Sequence, residues 1–484
     1  MSQQEDTARA EGLETARGTV QLLIGRGLFM VSGYLIAVIL ARGLGPVEYG
    51  VYGMVMSLLL WLEVAGDMGI RRAVTKLIPE VSDPRVVVQL ASAMLLIVSL
   101  VLFALCWILA PFVADFFELG DNGAWLFRVA VLDLPFNGLY LAYQGILQGH
   151  LLLGTLSKTL VVYSIAKLAG IASLLLLGMS VEAALIVNVL ATVVALVYAF
   201  VKYPISIAFP AGPLRRTIIE IAIPIGIFGI TMQLLLWMHL WSLKGISHVS
   251  NETIGFYVAA LNLARLPTVV PFVLTGVVLA SVSLALARQD AAQALRNIQA
   301  ACRFVYVLLL PVCVLGAIDA TPIMVFVFSE SYAGGGKFLA LLLTAFCLFS
   351  LLDTLLHTMI AAGKYYEVTI GLISLLPVTF GLGELLIPPY GAVGAAMALV
   401  LTLGIGTAAS LCWIYYRFGA PIKLLTFVRA TIATVVVAAI STRFDASGMW
   451  LIVKLSLLML LYGGVLALMK ELGAQDLKPL AVWK

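Results

Sequence analysis

Long apolar runs follow one another along nearly the whole chain, separated by short polar turns. A helix needs about 20 mainly apolar residues to cross roughly 30 Å of hydrocarbon. Fourteen stretches meet that requirement, and each predicts one membrane-spanning helix. They lie near residues 19–41, 50–70, 88–113, 124–147, 156–178, 182–204, 217–241, 254–284, 299–318, 337–361, 366–387, 392–415, 425–441 and 449–469. Breaks are expected in the eighth span, which Pro267 and Pro271 interrupt, and in the tenth, which Gly334-Gly335-Gly336 precedes.

Composition agrees with the pattern of spans. The chain has 484 residues, of which 62% are hydrophobic and 11% charged, with a mean hydropathy of +1.08. This balance excludes a soluble domain and predicts an all-α polytopic membrane protein. The net charge of +4 is too small to indicate nucleic acid as a partner. The five cysteines are scattered without metal-ligand spacing, so neither a metal site nor a cofactor is predicted.

The lysines and arginines in the loops predict the orientation. With the N-terminus in the cytoplasm, that side carries 20 of the 29 Lys and Arg residues and the opposite side carries 4. The first 17 residues are polar, so no signal peptide is expected. We therefore predict a multi-pass protein of the cell (inner or plasma) membrane with both termini cytoplasmic.

A faint internal repeat indicates how the spans are grouped. Gly50-Val51-Tyr52 opens the second span and Gly255-Phe256-Tyr257 opens the eighth. Parallel repeats of six spans would place two lobes about an axis along the membrane normal, an arrangement suited to alternating access. The predicted organisation is a cytoplasmic segment 1–18, an N-lobe 19–208 with spans 1–6, a C-lobe 209–419 with spans 7–12, and a final part 420–484 with spans 13 and 14.

Several polar residues inside the spans are candidates for substrate binding. A lone cation inside a span costs roughly 2.5–3.5 kcal/mol on insertion scales, so it normally faces a cavity or a partner, and cations around a cavity favour an anionic cargo. Snorkelling to the interface is the alternative for arginines near the ends of spans, and a buried neutral lysine is the alternative for a deep lysine. The candidates are Arg26, Arg128, Lys167 and Arg265 for the anion, with Gln233 and Asn262 for sugar hydroxyls or for bonds between helices.

Acidic residues in the spans are candidates for ion coupling or gating. Asp353 and His357 are four residues apart on one helix face, where they can exchange a proton or make a structural contact between helices. Glu63 and Asp67 share a spacing of four with Arg71, which predicts a ladder of ion pairs near the cytoplasmic end of the second span.

The chain lacks the glycine-rich loop with Lys and Ser or Thr that binds nucleotide phosphates. Direct ATP hydrolysis is therefore excluded, no catalytic residue is predicted, and the chain is not expected to be an enzyme. An ion gradient, the membrane potential or consumption of the product would have to drive transport.

Three short motifs carry a family resemblance: LARGLGPVEYGVY at residues 40–52, DMGI at residues 67–70 and GILQGH at residues 145–150. They resemble the polysaccharide-transporter family of Wzx-type flippases, in the MOP superfamily that also holds MurJ and the MATE exporters. The resemblance implies that the protein moves an undecaprenyl-pyrophosphate-linked oligosaccharide from the cytoplasmic to the outer leaflet. It also implies membrane lipids as partners, together with a polysaccharide polymerase and glycosyltransferases.

Three other functions compete with this one. A MurJ-like flippase for lipid II is the near alternative, and a MATE-like antiporter for drugs or cations is a more distant one. A membrane enzyme such as an O-antigen polymerase or ligase is the third, but such enzymes generally use a large outward loop and the outward loops here are short.

Overall fold

The structure, a computed structural model, describes residues 2–210 and 212–471 and, within them, the side chains outside 2–16 and 272–275. Of the predicted cytoplasmic ends, residue 1 and residues from 472 onward thus lie outside the described residues, and residues 2–16 are described by their backbone alone. Every regular element in the described part is helical, which confirms the predicted all-α polytopic fold. The helices group into two compact units, Met1–Gly255 and Phe256–Lys484. The predicted lobe boundary at residues 208 and 209 stays a prediction.

Seventeen α-helices are present in the described residues. In chain order they are α1 (Ser2–Asp67), α2 (Ile70–Leu77), α3 (Pro84–Phe116), α4 (Gly123–Val131), α5 (Asp133–Gly149), α6 (Leu153–Leu177), α7 (Val181–Lys202), α8 (Leu214–Ser247), α9 (Asn251–Ala264), α10 (Val269–Ala287), α11 (Ala291–Ile318), α12 (Ala320–Phe328), α13 (Gly336–Ala361), α14 (Tyr365–Tyr390), α15 (Ala392–Phe418), α16 (Leu424–Ser441) and α17 (Met449–Leu468).

Twelve helical stretches in the described residues are long and apolar enough to cross a membrane. The first of them contains two predicted crossings, because α1 changes direction at Gly45, whose φ of 73° is left-handed. One further crossing is divided between α4 and α5, which only Leu132 separates. Pro135 explains the interruption, since it has no N–H to donate to the carbonyl of Val131. The crossings therefore agree with the fourteen predicted spans.

The eighth span is broken where its prolines predict. Helix α9 ends at Ala264, a single 3₁₀ turn covers Leu266–Thr268, and α10 begins at Val269. The tenth span likewise starts with a 3₁₀ segment, Glu330–Gly335, before α13. Irregular backbone at such a place is stable in a membrane only where protein or a water-filled cavity surrounds it.

Backbone packs directly on backbone at two places in the first unit. A Cβ atom added to Gly50 would lie 1.9 Å from the carbonyl oxygen of Asn251, and one added to Gly255 would lie 1.9 Å from that of Pro46. At the other place, a Cβ added to Gly226 would lie 2.5 Å from the carbonyl oxygen of Met68. These helices can approach so closely because glycine has no side chain.

Replacing Gly50 with alanine is expected to destabilise the protein by about 1–3 kcal/mol, because the added methyl group must push α1 and α9 apart. Thermal unfolding in detergent measures the effect. Gly27 is the matched control, because a Cβ there meets nothing within 4 Å. Gly27→Ala should raise the melting temperature slightly or leave it unchanged. Equal melting temperatures for Gly50→Ala and the wild type would contradict the close approach.

A buried ion pair ties the last two helices to the rest of the second unit. Lys454 Nζ of α17 donates to Asp319 Oδ1 at 2.8 Å, and the hydroxyl of Ser441 in α16 donates to Asp319 Oδ2 at 3.1 Å. The side chains of Lys454 and Asp319 are only 10% and 7% exposed. Around Leu315 the same helices form an apolar cluster with α11.

Lys454→Met is expected to lower the free energy of unfolding by about 3 kcal/mol, because it leaves the buried Asp319 carboxylate without its cation. Adding Asp319→Asn should recover most of the loss, since no uncompensated charge then remains. Melting temperatures of the single and double variants measure this coupling. If the double variant were less stable than Lys454→Met alone, the ion pair would not be the cause.

Candidate functional site

Lys167, in the middle of α6, forms the centre of a polar cluster inside the first unit. Its Nζ donates to Asn188 Oδ1 of α7 at 2.5 Å and to the hydroxyl of Tyr163 at 3.3 Å. That hydroxyl in turn lies 3.4 Å from Asn188 Oδ1. The spacing of four residues between Tyr163 and Lys167 places both on the same face of α6.

Two carboxyl groups complete the cluster. Glu63 of α1 and Asp133 of α5 lie side by side, near enough to Lys167 to attract its ammonium group. Asn137 also reaches the Glu63 carboxyl. Asp133 is only 1% exposed, and its Oδ1 has no hydrogen-bond donor among the described residues. We call Glu63, Asp133, Lys167 and Asn188 the buried cluster.

Four helices, α1, α5, α6 and α7, each supply one side chain to the buried cluster. Because a membrane interior makes unpaired charges costly, the two acids and the lysine stabilise one another there. The sequence predicted Lys167 and Glu63 as candidates, but not their proximity. Asp133 and Asn188 were missed as site residues. The signal was available for Asp133, because it is an acid within the predicted span 124–147.

Two aromatic rings pack against the ring of Tyr163. The ring of Phe29 lies 5.7 Å from that of Tyr163, and Tyr140 stacks on Tyr163 at 6.2 Å. The hydroxyl of Tyr140 has no hydrogen-bond partner among the described residues. These two rings restrict the Tyr163 side chain, whose hydroxyl accepts the hydrogen bond from Lys167.

Arg26 of α1 lies near a second arginine. The positive charge of Arg71, at the start of α2, acts unfavourably on the charge of the Arg26 guanidinium group. Arg71 pairs with Asp67 at 3.3 Å and donates from Nη1 to Gln144 Oε1 at 3.4 Å. The predicted ladder therefore exists only between Asp67 and Arg71, because Glu63 contacts Asp133 instead. We call Arg26 and Arg71 the arginine pair.

Arg128 is not part of the buried cluster. Its guanidinium lies over the ring of Trp107 on α3, 5.5 Å from the centroid, and its Nε donates to the Trp107 carbonyl at 3.4 Å. This position fits the alternative of an arginine that extends along a helix surface. Gln233 of α8 is half-buried in the same unit.

The remaining predicted residues belong to the second unit. The Arg265 guanidinium lies 5.7 Å from the centroid of the Phe346 ring, and Asn262 is half-buried one turn earlier. His357 Nδ1 lies 2.8 Å from the backbone carbonyl of Asp353 and 3.5 Å from its carboxylate. The structure thus brings Asp353 and His357 together, as their spacing predicts.

Metal ligands do not converge in the described part of the chain. No three His, Cys, Asp or Glu side chains among those residues are placed to hold a metal ion. The cysteines are free, and Cys313 Sγ donates to Thr344 Oγ1 at 3.5 Å across α11 and α13.

A known protein family matches the N-terminal half of the chain. The model of the family described as "Polysaccharide biosynthesis protein" matches residues 15–280, which include the buried cluster and the arginine pair. The chain belongs to that family. No curated protein matches the chain.

Solved structures share the fold at low sequence identity. The lipid II flippase MurJ in an inward closed conformation superposes with a TM-score of 0.77 at 15% identity, covering 93% of this chain and 99% of MurJ. An inward-facing multidrug resistance MATE transporter of the MOP superfamily gives 0.67 at 16% identity, covering 79% and 94%. A MOP superfamily transporter from Pyrococcus furiosus, described by the reverse polarity of its binding pocket, gives 0.58 at 16% identity, covering 84% and 96%. The protein therefore has the polytopic fold of MOP superfamily transporters.

Proposed function

We propose that the protein is a flippase that moves a polyprenyl-pyrophosphate-linked oligosaccharide from the cytoplasmic to the outer leaflet by alternating access. It acts in the inner membrane with both termini cytoplasmic, as a transporter and not as an enzyme. Membership of a polysaccharide biosynthesis family supports a saccharide cargo. The likeness to a lipid II flippase supports a lipid-linked one. Glycosyltransferases would then act before the flippase, and a polymerase would act after it.

The arginine pair is the observation that carries the proposal. Two guanidinium groups that repel each other inside a membrane protein are stabilised when an anion lies between them. Arginine suits a pyrophosphate because its planar donors bind phosphate oxygens in pairs. Arg26 and Arg71 would hold the pyrophosphate of the cargo, and Asp67 would release Arg71 when the cargo arrives.

The buried cluster is proposed to couple transport to protons. Two carboxyl groups in contact cannot both be ionised easily, so Glu63 and Asp133 share one proton beside Lys167. With that proton the cluster carries no net charge, and without it the cluster carries one negative charge. Exchange of this proton during the cycle would change how strongly the two carboxyl groups attract Lys167. The pair Asp353 and His357 is a second candidate for the same role.

The other predicted ligands keep secondary roles in the proposal. Arg265 and Asn262 beside the broken eighth span, with Gln233 of α8, would contact sugars. Arg128 is assigned only a weak role, because Trp107 already packs against its guanidinium.

Native mass spectrometry of the protein purified from its own membranes tests the proposed cargo. We expect a co-purified polyprenyl-pyrophosphate glycan, and the mass of the glycan identifies the sugars. A lipid-linked peptidoglycan precursor instead would favour the MurJ-like function. Bound organic cations without any polyprenyl lipid would contradict the proposal and favour the MATE-like function.

A further inference from the structure

A pocket of about 430 Å³ opens at one end of the second unit. It lies between the second to fourth turns of α11, the first two turns of α16 and the residues that follow α17. This end also carries the loops rich in lysine and arginine, which the positive-inside rule assigns to the cytoplasm. Neither the arginine pair nor the buried cluster belongs to this unit, so the pocket is a separate feature.

Five cations line the pocket, accompanied by a single acid, Glu471. The cations are Arg296, Arg303, Lys423, Arg429 and Lys470. A pocket with this composition carries four net positive charges in a small volume. Repulsion among them falls when an anion enters, and salt screens it only in part because the pocket is partly enclosed.

Glu471 shows how the pocket holds an anionic group. Its carboxylate accepts hydrogen bonds from Thr426 Oγ1 at 2.7 Å, Arg303 Nε at 2.9 Å and Arg429 Nη1 at 3.1 Å. Burial alone would raise the pKa of this carboxyl group, but these bonds from Thr426, Arg429 and Arg303 outweigh it and lower the pKa. A hydroxyl and two guanidinium groups around one anion form a donor set that also suits a phosphate.

The remaining cations are not neutralised by Glu471. Among the described residues, Lys423 and Lys470 have no acidic partner, and both are exposed. Arg296 donates to the neutral Gln293 Oε1, at 2.6 Å from Nη2. The pocket therefore has more positive charge than its own carboxylate can balance.

Exposed apolar side chains occur in the pocket lining, at Leu425, and within two residues of lining residues, at Leu424 and Leu468. Leu424, Leu425 and Leu468 are 76%, 58% and 85% exposed at the ends of α16 and α17. Acyl chains in the adjoining leaflet would cover these side chains while a headgroup reaches the cations. This arrangement favours a lipid over a soluble anion, because basic pockets between membrane helices on the cytoplasmic side suit anionic headgroups.

We propose that this pocket binds the phosphate headgroup of an anionic membrane lipid. The headgroup phosphate meets Lys423, Lys470 and Arg429, and Glu471 competes with it for the arginines. The site is independent of the cargo proposed above.

The test measures lipid binding to the full chain by native mass spectrometry from a non-ionic detergent. The probes are dioctanoyl phosphatidylglycerol, the net-neutral dioctanoyl phosphatidylcholine, and inorganic pyrophosphate as a competitor. The variant Lys423→Gln with Lys470→Gln removes two charges without disturbing the bonds of Glu471. Its matched control is Arg288→Gln with Arg417→Gln, two exposed cations near the same end that do not line the pocket.

We expect phosphatidylglycerol to bind and phosphatidylcholine not to bind. The Lys423 and Lys470 variant should weaken binding roughly fivefold for each charge removed, and the control variant should leave it unchanged. Glu471→Gln should tighten binding, since a competing anion is lost.

Four results would contradict the proposal. Equal lipid binding by the Lys423 and Lys470 variant and by the wild type would exclude the pocket as the lipid-binding site. An equal loss in the control variant would indicate diffuse surface charge. Displacement of the lipid by an equal concentration of pyrophosphate would identify a soluble anion as the ligand. Weaker binding to Glu471→Gln would show that this residue supports the site and does not compete for it.

Discussion

Replacing Lys167 with methionine is expected to abolish glycan export and to lower the free energy of unfolding by about 3–5 kcal/mol. The stability falls because Glu63 and Asp133 lose the cation that attracts them inside the membrane. Transport stops because gain or loss of the shared proton can then no longer change the attraction between the two acids and a cation at position 167. Glycan export by a complemented null strain and the melting temperature of the purified protein measure the two effects.

Two controls separate stability from transport. Lys158, an exposed lysine earlier in α6, is the matched control, and Lys158→Met should change neither property. Combining Lys167→Met with Glu63→Gln and Asp133→Asn should restore the melting temperature, because no uncompensated charge remains. We expect that triple variant still to fail in export. Normal export by it would refute the proposed coupling role of the buried cluster.

Arg26→Gln and Arg71→Gln are expected to weaken binding of the polyprenyl-pyrophosphate glycan strongly, each by about tenfold or more, because a hydrogen bond to a charged group contributes roughly 1.5–3 kcal/mol. The double variant should bind no measurable cargo. Titration of the lipid-linked glycan into the purified protein gives the dissociation constants.

Arg72 offers the matched control for this pair, since it is adjacent to Arg71 but exposed. Arg72→Gln should bind as the wild type does. Arg26→Lys should recover only part of the affinity, because lysine keeps the charge and lacks the paired donors. Full affinity in the double variant would show that the arginine pair does not bind the cargo.

The sequence was sufficient for the spans and for the break in the eighth, but it did not predict that the fourth span divides at Leu132. An apolar run of about 20 residues has few other stable environments than a membrane, so the crossings could be located before any contact was known. The break after Ala264 was predictable because Pro267 cannot donate a backbone hydrogen bond. The pair Asp353 and His357 was predictable as well, because the contact lies within one helix.

Contacts between helices could not be predicted in the same way. In lipid both faces of a helix are apolar, so hydrophobic periodicity does not show which face meets a neighbour. The spacing of four residues predicted that Glu63 belongs to an ion-pair ladder with Asp67. Instead, the Glu63 carboxyl group contacts Asp133, on a different helix. Likewise, the sequence placed Arg128 nearer the end of its span than Lys167, but only the packing against Trp107 shows that Arg128 lies outside the buried cluster.

The bond between Asp319 and Lys454 has a consequence for how the protein is made. The two residues are separated by 135 positions. At about 5–20 residues per second, a ribosome needs roughly 7–27 s to synthesise the intervening chain. During that interval the acid enters the bilayer without its cation, so we expect α11 to stay near the insertion machinery until α17 arrives. A chain truncated before α17 would never leave that state, and we expect cellular quality control to degrade it.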